Sequence, residues 1–174
     1  MTEDQVKVIL LGDTGVGKTS IILSFADGVN ILENQQSSTV GVDLRKVDLK
    51  IDETVVKMQI WDTAGQEQYR AIAKSFIRRA DGILLCFDLT RHNSFDHIPE
   101  WIETIKEQSL SNTPCVLIGN KCDMESAISR ASITNIAESY KMPYYETSAT
   151  RGIGLEAAFF EIARSIIKSR KSQV

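Results

Sequence analysis

The residues with the clearest capacity for chemistry form a glycine-rich run near the N-terminus, GDTGVGKT at residues 12–19. Glycine permits a tight loop whose backbone N–H groups point inward, and a helix that begins in such a loop adds partial positive charge. Phosphate is the natural ligand of this arrangement. Lys18 would reach the β- and γ-phosphates of a nucleotide, and the Thr19 hydroxyl is placed to bind Mg²⁺.

The segments on either side of this loop have the pattern that a phosphate loop requires. Residues 6–11, VKVILL, are short and almost continuously apolar, which is typical of a strand buried on both faces. After the loop, Ile21, Ile22 and Phe25 recur at helical spacing. An ordinary glycine turn is the alternative, but the agreement of motif and context favours the phosphate site.

A second polar segment, WDTAGQE at residues 61–67, follows an apolar strand pattern. An acidic residue just past a buried strand can hold Mg²⁺ through water, and Asp62 fits that role. Gly65 has no side chain to shield its N–H from a terminal phosphate, and Gln66 could orient an attacking water. The segment therefore predicts groups that act on the last phosphate.

A third polar segment, NKCD at residues 120–123, follows the apolar strand pattern of residues 115–119. The Asp123 carboxylate can accept from the ring N–H and the exocyclic amine of guanine, whereas adenine presents the wrong donors and acceptors. Asn120 would brace the neighbouring loops, and the aliphatic stem of Lys121 could lie along the base. If this segment stood alone, without the phosphate loop, an ordinary polar turn would be the better interpretation.

Residues 27–41 are polar and have no periodicity that could bury one face, which predicts a long loop. Loops of this length inside a compact domain are usually functional. Thr39 offers a hydroxyl and backbone groups that could close over a nucleotide. A plain connection is the alternative.

Two strand patterns, at residues 42–51 and 54–61, flank a polar turn and predict a hairpin. Their alternation places Leu44 and Trp61 on the solvent face. The core face holds Val47, Leu49, Ile51, Val56, Met58 and Ile60. Apolar residues on a solvent face are candidates for a partner-binding patch, although isolated ones are common and need no function.

Composition excludes several classes of protein. The 174 residues are 43% hydrophobic and contain no linker-like stretch, so we expect a single domain over residues 1–174. A net charge of −3 gives no electrostatic case for binding nucleic acid. Three scattered cysteines are typical of reduced thiols in a cytosolic protein, and no apolar run reaches the roughly 18 residues of a membrane span. His92 and His97 have no metal-ligand partners in the sequence and are expected on the surface.

The rest of the chain alternates strands with helices, which predicts an α/β fold. Apolar strand patterns occur at residues 82–87, 115–119 and 143–146. Helical patterns separate them, and the clearest of the helical patterns runs from Leu155 to Ile167.

Together these segments resemble the five nucleotide motifs of the small GTPases, over nearly the whole chain. The motifs are Gly12–Thr19, Thr39, Asp62–Gln66, Asn120–Asp123 and Thr147–Ala149. Within that superfamily, TVGVD at residues 39–43 and the WDTAGQE segment are most similar to the Rab family of vesicle-traffic regulators. The resemblance implies a P-loop NTPase small G-domain: a six-stranded, mostly parallel sheet with one antiparallel edge strand and five flanking helices. It also implies two switch loops whose order changes with the γ-phosphate.

The resemblance implies bound GTP or GDP with Mg²⁺ and assigns roles by position. Gln66 and Lys18 would be catalytic, and Thr19, Thr39 and Asp62 would hold Mg²⁺. The nucleotide would be bound by Asp13, Thr14, Gly15, Val16, Gly17, Lys18, Thr19, Ser20, Thr39, Gly65, Asn120, Lys121, Asp123, Ser148, Ala149 and Thr150. The chain would be a monomer that meets an exchange factor and a GTPase-activating protein, and effectors would bind through Leu44, Trp61, Phe76 and the switch loops.

Three features depart from the family pattern. The segment from Phe25 to Thr39 is longer than usual and contains no aromatic residue to stack on guanine, a contact worth roughly 1–3 kcal/mol. Thr150 replaces the usual lysine, which would weaken the base pocket further. The chain ends in KSQV without a cysteine to prenylate, so either it is truncated or it lacks that anchor. We expect it in the cytoplasm, or on the cytosolic face of an endomembrane if the native chain extends to a prenylated C-terminus.

The leading hypothesis is a molecular switch that hydrolyses GTP to GDP and phosphate. Lys18, Mg²⁺ and the loop N–H groups would stabilise charge on the transferring phosphoryl group while Gln66 orients water. No arginine occurs between Asp27 and Asp43, so we expect slow hydrolysis and an activating protein that supplies one. Two alternatives remain: a nucleotide-gated scaffold with little or no turnover, against which Gln66 argues, and a kinase built on the same loop, against which the NKCD segment argues.

Overall fold

The computed structural model describes residues 2–28, 42–63, 70–110 and 112–173. Its strands, in chain order, are β1 Thr2–Leu11, β2 Val42–Ile51, β3 Thr54–Thr63, β4 Gly82–Asp88, β5 Cys115–Asn120 and β6 Tyr144–Thr147. They form a six-stranded sheet in the order β2-β3-β1-β4-β5-β6. The edge strand β2 runs antiparallel to β3, and the other pairs are parallel. The predicted sheet is confirmed.

The helices pack against both faces of this sheet. They are α1 Lys18–Ile22, a π-helix Leu23–Asp27, α2 Arg70–Arg79, α3 His92–Asp96, α4 Ile98–Gln108, α5 Arg130–Ser139 and α6 Leu155–Lys171. The π-helix continues α1 directly, and only His97 separates α3 from α4. The described residues therefore contain five helical segments, as predicted. None of the helices in these residues is both long enough and apolar enough to cross a membrane.

Burial on both faces explains why the central strands are apolar at nearly every position. In β1, Val8 and Leu10 face α1 and α6, whereas Ile9 and Leu11 face the layer of α2, α4 and α5. All four side chains are at most 1% exposed. Burial of one such side chain stabilises the fold by about 1.5–3 kcal/mol, so the two layers hold the strand ends in fixed positions.

The hairpin of β2 and β3 has the predicted alternation. Leu44 pairs with Trp61 and Val47 pairs with Met58, which sets the two faces. The predicted core positions from Leu49 onward are buried, whereas Leu44, Val47 and Trp61 are half-buried. The face of the hairpin that carries Leu44 and Trp61 therefore has this apolar pair at one end and charged residues at the other.

The predicted end of β3 at Trp61 is wrong by two residues. The strand continues to Thr63 because it pairs with β1 as far as Asp62, which lies opposite Leu10. Thr63 Oγ1 also donates to Leu10 O at 2.7 Å. Asp62 is thus a buried residue inside the strand, 1% exposed, rather than the first residue after it.

The predicted loop of residues 27–41 begins later than expected. The π-helix ends at Asp27 and is capped by Gly28, whose φ of 63° is left-handed. Phe25 stacks on Phe159 of α6 with ring centroids 3.9 Å apart, and Arg45 Nε lies 3.0 Å from Asp27 Oδ2. These contacts fix the exit of the helix against α6 and β2.

Candidate nucleotide-binding site

The glycine-rich loop between β1 and α1 approaches its neighbours too closely for side chains at two positions. A Cβ atom on Gly12 would lie 2.1 Å from Cys86 O, and one on Gly17 would lie 2.3 Å from Asn120 Nδ2. Both residues also have left-handed φ angles, 142° and 102°. The spacing of glycines in the sequence therefore follows from close approach to β4 and β5.

Side chains from three parts of the chain hold consecutive carbonyl groups of this loop. The hydrogen bonds run from Lys18 Nζ to Gly12 O (2.9 Å) and Asp13 O (3.0 Å), from Arg91 Nη2 to Thr14 O (2.9 Å), from Lys121 Nζ to Gly15 O (3.1 Å) and from Asn120 Nδ2 to Val16 O (3.0 Å). In a trans peptide the C=O and the next N–H point in opposite directions. The Thr14 and Val16 carbonyls, which bond Arg91 and Asn120, therefore turn the N–H groups of the same peptides, those of Gly15 and Gly17, toward the interior of the loop, where an anion can bind.

Lys18 lies at the floor of the loop and is 6% exposed. Burial is the main reason that the pKa of Lys18 lies below its ordinary value, and the positive charge of Arg91 lowers it further. The charges of Asp62 and Asp13 act in the opposite direction. A bound phosphate would add negative charge beside this amine and stabilise its protonated form.

Thr19 and Asp62 bring two oxygen ligands together on one side of the loop. Thr19 Oγ1 donates to Asp62 Oδ2, so the start of α1 is tied to the end of β3. Hydroxyl and carboxylate oxygens suit Mg²⁺, which usually takes only one or two protein ligands and keeps several waters. Within the described ranges no group of three or more His, Cys, Asp or Glu could hold a metal ion. The pair therefore fits a Mg²⁺ that a phosphate shares.

Asn120, at the end of β5, connects the phosphate loop to the loop after β6. Its side chain is 2% exposed. Besides donating to Val16, it accepts from Thr147 Oγ1 at 2.9 Å. The predicted bracing position of Asn120 is thus the one that the structure has.

Asp123 faces the loop of residues 148–150. Ser148 Oγ donates to Asp123 Oδ1 at 2.8 Å, and Thr150 Oγ1 lies 3.5 Å from Oδ2. Ser148 and Ala149 are buried, whereas Thr150 is exposed. The structure therefore brings together two segments that the sequence linked only through a family resemblance.

Asp88, to which the sequence motifs assign no role, ends β4 and is 0% exposed. Lys121 Nζ lies 2.7 Å and Arg91 Nε 3.2 Å from its Oδ2, and Thr90 donates to Oδ1 from both N (2.8 Å) and Oγ1 (2.6 Å). Burial acts to raise the pKa of Asp88, but the hydrogen bonds from Lys121 and Thr90 outweigh it and hold the pKa below its ordinary value. A carboxylate at the end of a fully apolar strand was the available signal, because a buried charge needs partners.

Asp13 is held from outside the loop by α4 and the residue before it. Trp101 Nε1 donates to Asp13 Oδ1 at 2.9 Å, and His97 Nδ1 contacts Oδ2. The His97 side chain is 48% exposed, so it lies at the surface as expected, but the contact with Asp13 was not foreseen. Neither the spacing nor the composition of this region indicates such a contact.

Leu44, Trp61 and Phe76 lie near one another on the hairpin side of the molecule. The Trp61 and Phe76 rings have centroids 5.1 Å apart, and Leu44 is opposite Trp61 in the strand pairing. A cavity of about 230 Å³ lies between α2 and the sheet, lined by Lys7, Ile9, Trp61, Phe76, Arg79 and Ala80. The three apolar residues thus form a partly exposed patch with an adjoining cavity.

Three predicted site residues, Thr39, Gly65 and Gln66, lie outside the described residues. Their assigned roles stay predictions. The remaining predicted nucleotide and Mg²⁺ positions lie at one edge of the sheet. They belong to the phosphate loop, to Asp62, to the NKCD segment and to the loop after β6.

Comparison with known proteins assigns the class. The sequence model of the Ras family, "Ras: Ras family", matches residues 7–168, so this α/β domain is that of a small GTPase. The chain is 42% identical to Ras-related protein Rab-37 of Homo sapiens over 162 residues, 92% of this chain and 72% of that protein. It is 42% identical to Ras-related protein Rab-1 of Theileria parva over 163 residues, 92% of this chain and 73% of that protein. It is 41% identical to Ras-related protein Rab-26 of Rattus norvegicus over 162 residues, 92% of this chain but 63% of that protein.

The chain belongs to the Ras family, as a Rab-like small GTPase. The predicted family is confirmed. Membership brings with it guanine-nucleotide binding and GTPase activity, and vesicle traffic is the known role of Rab proteins. Effectors, exchange factors and GTPase-activating proteins are the general partner classes of this family.

Proposed function

We propose that this chain is a slow GTP-hydrolysing switch that a partner protein activates. The observation that carries this proposal is the pair of hydrogen bonds that connect the NKCD segment with the phosphate loop. Asn120 donates to Val16 O and Lys121 donates to Gly15 O. One rigid unit would thereby hold both ends of a nucleotide. The residues 1–174 would act as a single G domain.

The proposed nucleotide site consists of residues 13–20, Thr39, Gly65, Asn120, Lys121, Asp123 and residues 148–150. Thr19, Thr39 and Asp62 would hold Mg²⁺, which would supply charge neutralisation at the phosphates. Lys18 would stabilise negative charge on the transferring phosphoryl group, and Gln66 would orient the attacking water. Asp123 would select guanine by accepting from its two donors.

Slow intrinsic hydrolysis is proposed because the segment between Asp27 and Asp43 contains no arginine that could act in cis. An arginine supplied in trans stabilises transition-state charge and accelerates hydrolysis by about 10³–10⁵-fold in related reactions. An activating protein is therefore the expected source of most of the catalytic rate.

Effectors would bind the patch of Leu44, Trp61 and Phe76 together with the switch loops. The contact between the Trp61 and Phe76 rings and the partial exposure of both side chains support this proposal. We propose a monomer that acts in the cytoplasm, or at the cytosolic face of an endomembrane where the native chain extends to a prenylated C-terminus.

The test starts with the nucleotide that copurifies with the protein, identified by chromatography, where we expect GDP. GTP hydrolysis is then measured in single-turnover and multiple-turnover assays on wild type and Gln66→Leu, with Gln108→Leu as a matched control. Gln108 lies at the end of α4 and bonds Arg78, away from the phosphate loop. We expect Gln66→Leu alone to lower the hydrolysis rate, by about 10-fold or more, because the attacking water loses its orientation.

Two results would contradict parts of this proposal. Equal hydrolysis rates for Gln66→Leu and wild type would remove the assigned role of Gln66. Tight GTP binding without phosphate release over many turnovers would favour the nucleotide-gated scaffold instead.

A further inference from the structure

Arg91 has no role in the proposed function, although it contacts the outer side of the phosphate loop. The side chain is 50% exposed. Its Nη2 donates to Thr14 O at 2.9 Å, and a Cβ atom on Gly15 would lie 3.3 Å from the same nitrogen. The guanidinium group therefore covers the loop at Thr14 and Gly15.

Asp88 determines where this guanidinium lies. Arg91 Nε is 3.2 Å from Asp88 Oδ2, and the Arg91 backbone N–H donates to Asp88 O at 3.0 Å. The same carboxylate oxygen is 2.7 Å from Lys121 Nζ, which donates to Gly15 O at 3.1 Å. One buried carboxylate thus anchors two cations that hold successive carbonyls of the loop.

The direction of a carbonyl determines the direction of the N–H in the same peptide group. The C=O of Thr14 and the N–H of Gly15 belong to one trans peptide and point in opposite directions. When Arg91 draws Thr14 O outward, the Gly15 N–H is turned toward the interior of the loop, where a phosphate oxygen would accept from it.

We propose that Arg91 is a positioning residue for the nucleotide phosphates, holding Thr14 O so that the Gly15 N–H is aimed at the bound phosphate. Asp88 fixes Arg91 in this position and, through its contact with Lys121, joins Arg91 to the NKCD segment. The proposal rests on guanine-nucleotide binding at this site. The electrostatic influence of Arg91 reaches the same site, because its charge lowers the pKa of Lys18.

The experiment measures the rate of GDP dissociation from wild type and the variants Arg91→Ala, Arg91→Lys and Arg130→Ala. Arg130 is an exposed arginine at the start of α5 and serves as the matched control. We expect Arg91→Ala to release GDP about 5–20-fold faster, since one charge-assisted hydrogen bond to the loop is lost. The GDP dissociation rate of Arg91→Lys should lie between those of Arg91→Ala and wild type. The rate of Arg130→Ala should stay within about twofold of wild type.

A second measurement separates positioning from a general loss of structure. In the ³¹P NMR spectrum of bound GDP, Arg91→Ala should shift the β-phosphate resonance, because the N–H that faces this phosphate is reoriented, while the melting temperature of the GDP complex falls by only about 2–7 °C, as the weaker GDP binding requires. If wild type binds GDP, an unchanged GDP dissociation rate or an unmoved β-phosphate resonance in Arg91→Ala would overturn the positioning role alone. A wild-type protein that binds no GDP would overturn the proposed function as well.

Discussion

Asp123, the residue proposed to select the base, is oriented by neutral hydroxyl groups. Ser148 Oγ donates to one carboxylate oxygen at 2.8 Å, and the Thr150 hydroxyl lies 3.5 Å from the other, at the outer limit of a hydrogen bond. A hydroxyl orients the carboxylate without neutralising its charge, which leaves that charge available to the two guanine donors. Thr150 therefore has a contact of its own where the family has lysine.

Replacement of Asp123 by asparagine should change which base is bound. Asparagine keeps one acceptor oxygen but has an NH₂ donor in place of the other. One of the two guanine donors would then face this NH₂ group and have no acceptor. Xanthine has a carbonyl in place of the exocyclic amine and would accept from the new NH₂. We expect Asp123→Asn to weaken GDP binding by about 10³-fold or more and to strengthen xanthosine diphosphate binding, because the xanthine carbonyl opposes a carboxylate oxygen in wild type; equilibrium dialysis measures both affinities.

Thr150→Ala is the matched control, because it alters the same pocket without touching the acceptor set. We expect its GDP affinity to stay within about fivefold of wild type, since the contact at 3.5 Å is weak. Equal weakening of both nucleotides in Asp123→Asn would argue that Asp123 belongs to an ordinary polar turn.

Helices and strands were predictable in type, whereas their ends depended on partners elsewhere in the chain. Residues 6–11 predict a strand, but β1 starts at Thr2 because β3 offers a paired residue, Thr54, opposite it. The apolar spacing of Ile21, Ile22 and Phe25 indicates a helix without separating α from π geometry over so few residues. Element ends are thus set by pairing and packing, which are long-range properties.

The stack of Phe25 on Phe159 is the contact that anchors the π-helix to α6. Its rings are nearly parallel, at 4°, with centroids 3.9 Å apart. Phe25→Ala would remove an aromatic pair and leave a space beside a residue that is 0% exposed, so we expect the free energy of unfolding to fall by about 2–4 kcal/mol. Urea unfolding of the GDP complex, at one fixed GDP concentration, measures this change.

Phe25→Leu provides the comparison for this contact. Leucine fills most of the same volume without the ring, so the loss should be about 1.5 kcal/mol or less. If Phe25→Ala were as stable as wild type, the stack would have no part in holding the helix against α6.

The candidate nucleotide site lies at the carboxyl edge of the parallel strands β1, β4, β5 and β6. Open α/β sheets place ligands at this edge, so the approximate position of the site followed from the alternating pattern of strands and helices. The assignment of each loop carbonyl to a particular side chain did not. Arg91 contacts Thr14 across 77 positions of the chain, and Lys121 contacts Gly15 across 106. Such contacts depend on how four strand ends come together, and no local spacing encodes them.

The buried carboxylate of Asp88 links two of these strand ends and should make stability depend on pH. Its pKa in the folded protein is held below the ordinary value, so its stabilising contribution is complete above the unfolded pKa of about 3.9 and is lost as the pH falls through the folded pKa. Asp88→Asn removes the charge that Lys121 and Arg91 face. We expect it to lower the free energy of unfolding by about 2–4 kcal/mol at pH 7, and the difference from wild type to shrink as the pH falls below about 4.

Asp81→Asn controls for the loss of an ion pair that is partly exposed. Asp81 lies 3.1 Å from Arg170, with 34% of its side chain exposed, so its removal should cost about 1 kcal/mol or less. Urea unfolding between pH 7 and pH 3, with the same excess of GDP throughout, compares the three proteins. A difference between Asp88→Asn and wild type that stayed constant across this range would show that shape or hydrogen bonding at Asp88, rather than its charge, joins the strand ends.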